Sequence, residues 1–244
     1  MSVNVRASRI AVAALSGMAA LQVLGRIAGS TGAERRTSLP GDELVPTPSI
    51  VTDHAITIEA PPDRVWPWLT QVGWHRAGWY TPRWVDRLLF PANWPSLEQL
   101  DPALVHDLVV GDRIPDGPPG TAEFVVAHAD QPNLLVLHSS SHLPTSWRER
   151  LGTGIDWTWT FSLTGAGSGR GDTRLHLRVR ASTRPWWFTA AYLLTLVPAD
   201  YVMGPGMLRG LRSRVERQDV MEWRPPLSLA RSRRHTNPQE RPGR

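Results

Sequence analysis

Cysteine and lysine are both absent from the 244 residues. Without cysteine there are no disulfides, thiolate metal sites or thiol nucleophiles, and the redox compartment stays undetermined. Without lysine, all 27 basic residues are arginine, which we read as a mark of GC-rich coding DNA and not as a binding signal. No His-Glu-x-x-His pattern occurs, and Ser139, Ser140 and Ser141 stand outside any Gly-x-Ser-x-Gly elbow. Neither a metal, nor a cofactor, nor an ordinary serine hydrolase is therefore expected.

Long apolar runs are lacking too. The longest charge-free one, residues 10–25, holds sixteen residues between a basic start and Arg26, short of the ~20 that span a bilayer. Its length suits a secretory signal, yet Thr31-Gly32-Ala33 matches a cleavage site only loosely, and flanking positive charge gives no orientation. Three outcomes stay open: a membrane anchor through residues 10–28, a cleaved signal, or a soluble, weakly ordered helix. The expected location is accordingly at a membrane, with cytoplasm or secretion as alternatives.

What is present in excess is arginine at the ends. Residues 1–36 hold five Arg and one Glu, residues 221–244 six Arg and two Glu, and residues 37–220 sixteen Arg against nineteen acids. The pI near 10.8 thus belongs to the termini and not to the body. A nucleic-acid groove needs a concentrated basic face on the folded part, so no nucleic-acid partner is expected. The Pro-, Arg- and Ser-rich residues 221–244 read as a disordered tail, and the proline-rich residues 37–53 as a lead-in lying on the domain.

Between them the pattern alternates with a period of two. Ile56 and Ile58 open a short strand that Pro61 and Pro62 end, and Val65, Trp66, Trp68 and Leu69 then recur with helical spacing. Residues 81–89 read as a second short helix capped by Thr81, and residues 108–114 as a strand interrupted at Gly111-Asp112. Residues 123–127 and 133–138 give two more strands. Residues 156–163 set Trp157, Trp159, Phe161 and Leu163 against Asp156, Thr158, Thr160 and Ser162, and residues 173–180 set Leu175, Leu177 and Val179 against Arg174, His176, Arg178 and Arg180. One apolar and one polar face imply an antiparallel sheet covered on one side. The apolar residues 185–197 and the stripe Met207, Leu208, Leu211, Val215 supply the cover, as two helical pieces around a hinge at Pro198 and Gly204-Pro205-Gly206. This is an α+β arrangement.

The run I-x-A-P-P-x-x-V-W-x-W-L at residues 58–69 resembles the START-like (SRPBCC) superfamily, which includes polyketide cyclase/dehydrase-like proteins. The likeness continues through Gln71, Gly73, Arg76, Ala77, Gly78, Trp79 and Tyr80. It covers about residues 39–217 and implies a ligand-binding domain over residues 54–220. The implied fold is a helix-grip: a curved antiparallel sheet wrapped around a long C-terminal helix, with two short helices after the first strand. A cavity between sheet and helix would then be lined from Trp79, Tyr80, His138, Asp156, Trp157, Trp159, Trp187 and Tyr192, and would suit a bulky hydrophobic or ring-containing ligand. No residue is singled out as catalytic. His138 and His142 lie four apart in a Ser- and Pro-containing loop, which gives no shared metal face. Arg174, Arg178 and Arg180 read as a solvated sheet face or a contact for anionic membrane.

Binding or carriage of a hydrophobic small molecule or lipid is the leading expectation. The alternatives are a cyclase/aromatase-like enzyme acting on a polyketide-type substrate and a partner-binding module using the tails. Oligomeric state is left open.

Overall fold

The computed structural model describes residues 2–89, 95–167 and 171–218. The expected basic tail, from residue 221 on, lies outside the described residues. Six strands form one antiparallel sheet: β1 (Ile50–Ile58), β2 (Arg113–Pro115), β3 (Glu123–Asp130), β4 (Leu134–Ser139), β5 (Gly154–Gly165) and β6 (Thr173–Arg184), in the order β1-β6-β5-β4-β3-β2. The β5–β6 hairpin pairs from Gly154↔Arg184 to Gly165↔Thr173. Its alternation places Trp157, Trp159, Phe161, Leu163, Leu175, Leu177 and Val179 on one face, which carries the main core. β1 starts at Ile50, inside the stretch read as lead-in, because polar Thr52, Asp53 and His54 interrupt the apolar pattern there.

Helices flank the sheet. α1 (Ser2–Ile27) and α2 (Gly32–Arg36) precede β1, and α3 (Pro62–Thr70) and α4 (Arg83–Leu89) follow it. α5 (Thr145–Leu151) sits in the β4–β5 connection, and α6 (Trp186–Gln218) closes the described chain. In α3, Val65, Trp66 and Leu69 are buried, as the helical spacing requires. α5 interrupts what the polar sequence suggests is a plain loop, and it has no buried residue. The stretch before Gly111 does not extend β2, which has three residues only.

α6 differs from the expected pair of pieces. It is one helix of 33 residues running through Pro198 and Pro205. Each proline removes a backbone donor, but residues 204–208 are buried against neighbours on the inner side, and that packing holds the helix together. Gly210 shows how close the approach is: a Cβ there would stand 1.9 Å from the Tyr80 carbonyl oxygen.

The outer face is also covered, contrary to the one-sided expectation. Thr158 and Thr160 of β5 and Arg178 of β6 are buried under residues 34–45. Arg178, 3% exposed, bonds Asp53 Oδ1 through Nε at 2.8 Å and Asp42 Oδ2 and the Thr37 carbonyl through Nη1. Its Nη2 donates to the Glu34 and Arg35 carbonyls. Arg174 grips Glu34 with two nitrogens at 2.7 and 2.9 Å, and Arg180 donates to the Val45 carbonyl. The arginine stripe is therefore neither solvated nor free for a membrane; it latches the lead-in to the sheet.

The motif that carries the family resemblance is explained by packing. Gln71 Nε2 donates to the Tyr80 hydroxyl at 2.9 Å, and Gln71 Oε1 accepts the Asp101 N–H. Arg76 donates to the Thr70 and Leu104 carbonyls. Gly78 has φ +73°, and a Cβ there would strike Ser96 at 2.6 Å, so glycine is required. Tyr80 is fully buried, its hydroxyl donating to the Trp68 carbonyl and its N–H to Ser96 Oγ. These residues weld α3, the following loop and α6 into one unit. With the curved sheet gripping α6, the architecture is a helix-grip.

Candidate functional site

Between the inner face of the sheet and the first half of α6 lies a cavity of about 130 Å³. β1 contributes Ile50 and Thr52, β5 contributes Trp157 and Trp159, β6 contributes Val179 and Ala181, and α6 closes it with Tyr192, Val197 and Asp200 among others. Drug-sized pockets run to ~300 Å³ and above, whereas a cavity near 150 Å³ accepts a benzene ring. The expected bulky ligand does not fit this space. The reason is the tryptophans themselves: Trp79, Phe124, Trp157, Trp159 and Phe161 fill the centre by packing on one another, with neighbouring ring centroids 5.2 to 6.3 Å apart.

The cavity wall is apolar with a few polar groups. Thr52 Oγ1 and Trp159 Nε1 belong to lining residues, are buried, and have no protein hydrogen-bond partner. A buried indole N–H or hydroxyl in that condition costs about 1–3 kcal/mol, so such groups mark places where something else is to be bonded. Asp200 stands beside them, its Oδ2 2.7 Å from His54 Nε2. A carboxylate accepts only, so the proton sits on Nε2, and Nδ1 of the fully buried His54 is left unpartnered. Burial, reinforced by the Asp200 charge, raises the Tyr192 phenol pKa well above the usual range, so its hydroxyl keeps its proton at neutral pH and serves as a hydrogen-bond donor.

The residues singled out from sequence separate into five places. Trp157, Trp159 and Tyr192 line the cavity. Trp79 packs behind Trp159 at 5.2 Å. Tyr80 lies on the far side of the core with its hydroxyl bonded to Gln71 and Trp68, and burial pushes its pKa upward. Trp187, at the start of α6, is partly exposed and outside the lining. His138 and Asp156 do not face the cavity: their positions in β4 and β5 alternate with the inward Leu137 and Trp157, and they pair on the outer side, His138 Nε2 to Asp156 Oδ1 at 2.6 Å.

Two polar features escaped the sequence reading. One is His54–Asp200, whose signal was a histidine at an inward position of the alternation Ile50, Thr52, His54, Ile56, Ile58. The other is a chain from Ser139 Oγ to His142 Nδ1 (2.8 Å) and from His142 Nε2 to Asp116 (2.9 Å). Trp157 Nε1 donates to the same Nδ1 at 3.2 Å, and Ser139 Oγ also meets Ser141 Oγ and the Ser141 N–H. Ser139 is buried, and its hydroxyl is fully engaged. The chain ties the end of β4 to the turn at Asp116 and is not a poised nucleophile.

The chain has a helix-grip fold, a six-stranded antiparallel sheet around a long C-terminal helix. No family model and no curated protein matches it. Among solved structures it is similar to norcoclaurine synthase of Thalictrum flavum, at 14% identity and TM-score 0.40 over 79% of this chain and 96% of that one. It is similar also to CalU16 of Micromonospora echinospora, at 18% and 0.31 over 70% and 87%. A hypothetical protein of Helicobacter pylori gives 12% and 0.43 over 72% and 94%. At such identities and scores these likenesses carry no argument about ligand or reaction.

Proposed function

We propose that this START-like chain binds a small, mostly apolar molecule of about one ring in the cavity between sheet and α6. The observation that carries this reading is an apolar space bordered by residues with unpaired polar atoms, Thr52 Oγ1 and Trp159 Nε1. A phenol- or alcohol-like ligand would accept from the indole N–H and exchange a hydrogen bond with Thr52 or Asp200. A panel of one-ring and long-acyl compounds, scored by rise in melting temperature, tests it. One-ring compounds should stabilise and long acyl chains should not; the reverse order would sink the size argument.

The binding domain is, on this reading, held at a membrane. α1 lies along α6 in the same direction, with Gln22 Nε2 near the Leu193 carbonyl (2.5 Å) and Gly25 so close to Val197 that a Cβ would meet its carbonyl oxygen at 1.9 Å. Together they leave Ile10 (70% exposed), Val12, Leu15, Trp186 (81% exposed) and Leu194 on the surface. No described helix is long and apolar enough to cross a bilayer, and exposed Trp with Leu suits an interfacial position. Flotation with anionic vesicles should carry the protein, and Leu15→Glu with Trp186→Ser should release it. A wild-type protein that stays in solution refutes this part.

A second reading, cyclase-like proton transfer, is favoured by one pairing: the Asp200 carboxylate, oriented by His54, beside the protonated Tyr192. These place a carboxylate base and a hydrogen-bond donor for a developing oxyanion on one wall. Tyr80, His138 and Asp156, the other polar residues expected at the cavity, lie elsewhere. If turnover of a polyketide-type substrate is found, Asp200→Asn should remove it while ligand binding persists; full activity in that variant excludes the mechanism.

A further inference from the structure

The second half of α6 borders a different concavity, an open groove of about 390 Å³ that is polar where the first is apolar. Arg83 from α4 and Arg209, Arg214 and Arg217 from α6 line it, with Glu98 and Ser213. Three of the four guanidinium groups converge on one carboxylate. Arg214 Nη2 meets Glu98 Oε1 at 2.8 Å and Arg83 Nη2 meets it at 3.4 Å, while Arg217 Nη2 meets Oε2 at 2.7 Å. Arg209 is exposed and has no ion-pair partner among the described residues.

Arg214 is the fixed point. It is buried, with Nε on the Leu97 carbonyl, Nη1 on the Gly210 carbonyl, and its guanidinium 5.1 Å from the centre of the Tyr80 ring. The groove is thus built on the same welded unit that fixes the fold. Burial works to raise the Glu98 pKa, but the charges of Arg214 and Arg217 and the bond from Arg83 outweigh it and hold the carboxyl below its usual range. Four permanent positive charges face one negative charge, and an open concavity between low-dielectric walls concentrates that surplus. Guanidinium forks fit phosphate and carboxylate oxygens in pairs, and a surplus of this size matches a dianion better than a single carboxylate.

We propose that this groove binds a phosphate group, with Arg209, Arg217 and Arg83 as its cations and the Ser213 hydroxyl as a neutral donor. The phosphate belongs either to a soluble phosphomonoester or to a lipid headgroup. The site is separate from the cavity in the first half of α6 and does not depend on what that cavity holds.

Equilibrium titration of the full chain with inorganic phosphate and with glycerol 3-phosphate, at low and at physiological salt, tests the soluble source. Sedimentation with phosphatidylcholine vesicles, with and without phosphatidic acid, tests the lipid source. Arg209→Ala is the informative variant because the Arg209 side chain is exposed and has no hydrogen bond or ion pair among the described residues, so its melting temperature should match wild type. Loss of one charge-assisted contact should weaken binding about tenfold. Saturable phosphate or glycerol phosphate binding lost in this variant supports a soluble ligand. Phosphatidic-acid-dependent sedimentation lost in it, with neither soluble compound bound, supports a headgroup. The proposal is overturned if neither phosphate source binds below about 10 mM, a free energy under about 3 kcal/mol, or if binding is unchanged in Arg209→Ala.

Discussion

On the outer face of the sheet, Asp53, His176 and Arg178 are buried and satisfy one another, with Asp53 Oδ1 accepting from His176 Nε2 and Arg178 Nε at 2.8 Å each. On the inner face, Thr52, His54 and Trp159 keep an atom without a protein partner, and Thr52 and Trp159 border a cavity. Thr158 Oγ1 and Asp42 Oδ1 share the unpaired condition on the outer face, but they lie across the sheet from that cavity. The residues that look most chemical in the sequence, the charged and histidine-bearing ones, are thus largely spent on architecture. On the proposed reading, bonding to a ligand is left to a threonine, an indole and one aspartate among aliphatic and aromatic neighbours.

Breaking the outer face should cost the most. Arg178→Met leaves the buried Asp53 with His176 alone and releases the lead-in, and removing one partner of a buried pair costs about 3–5 kcal/mol. Urea unfolding should show that loss, with affinity for a one-ring ligand unchanged when measured well below the unfolding midpoint. Gly25→Val should come next. Its side chain cannot fit against Val197, so α1 should leave α6 at a cost of about 1–3 kcal/mol, read as faster proteolysis of residues 2–27 with the sheet intact.

The inner face should respond in the opposite manner. Thr52→Val removes an unpaired hydroxyl at nearly constant shape, so stability should stay within about 1 kcal/mol while affinity falls by up to about tenfold. The smallest effect is a pH dependence on the outer latch. The Arg174 side chain, despite burial acting the other way, lowers the Glu34 pKa from 4.5 to about 2. A carboxylate depressed by folding contributes stability above its unfolded pKa, and that stability is lost as pH falls from about 4.5 towards 2. Glu34→Gln should flatten the stability–pH curve in that window and lower stability slightly near neutrality, where the charged pair contributes it.

The sequence shows the sheet and its grip on α6 through period-two alternation at Trp157–Leu163 and Leu175–Val179, and through the apolar stripe of α6, because burial of one face imposes that pattern. It does not show the cover on the outer face. Arg174, Arg178 and Arg180 look solvated until residues 34–45, distant in the chain, are seen to bring carbonyls and Asp42 to them. Alternation can set His54 inward and His138 outward, but it does not show their partners: Asp200 comes from α6 and Asp156 from the neighbouring strand. The size of the cavity is equally hidden, since tryptophans at a wall and tryptophans filling a core obey the same period.

The central claim is most directly tested at the Trp159 indole. Its Nε1–H resonance can be assigned in a ¹H–¹⁵N correlation spectrum by its disappearance in Trp159→Phe, and then followed during titration with phenol. The account predicts a saturable shift of that signal in the wild-type chain, largely abolished in Ala181→Val, where the added methyl groups occupy the cavity while the spectrum otherwise stays folded. A Trp159 signal that does not move, or that moves equally in Ala181→Val, would contradict it.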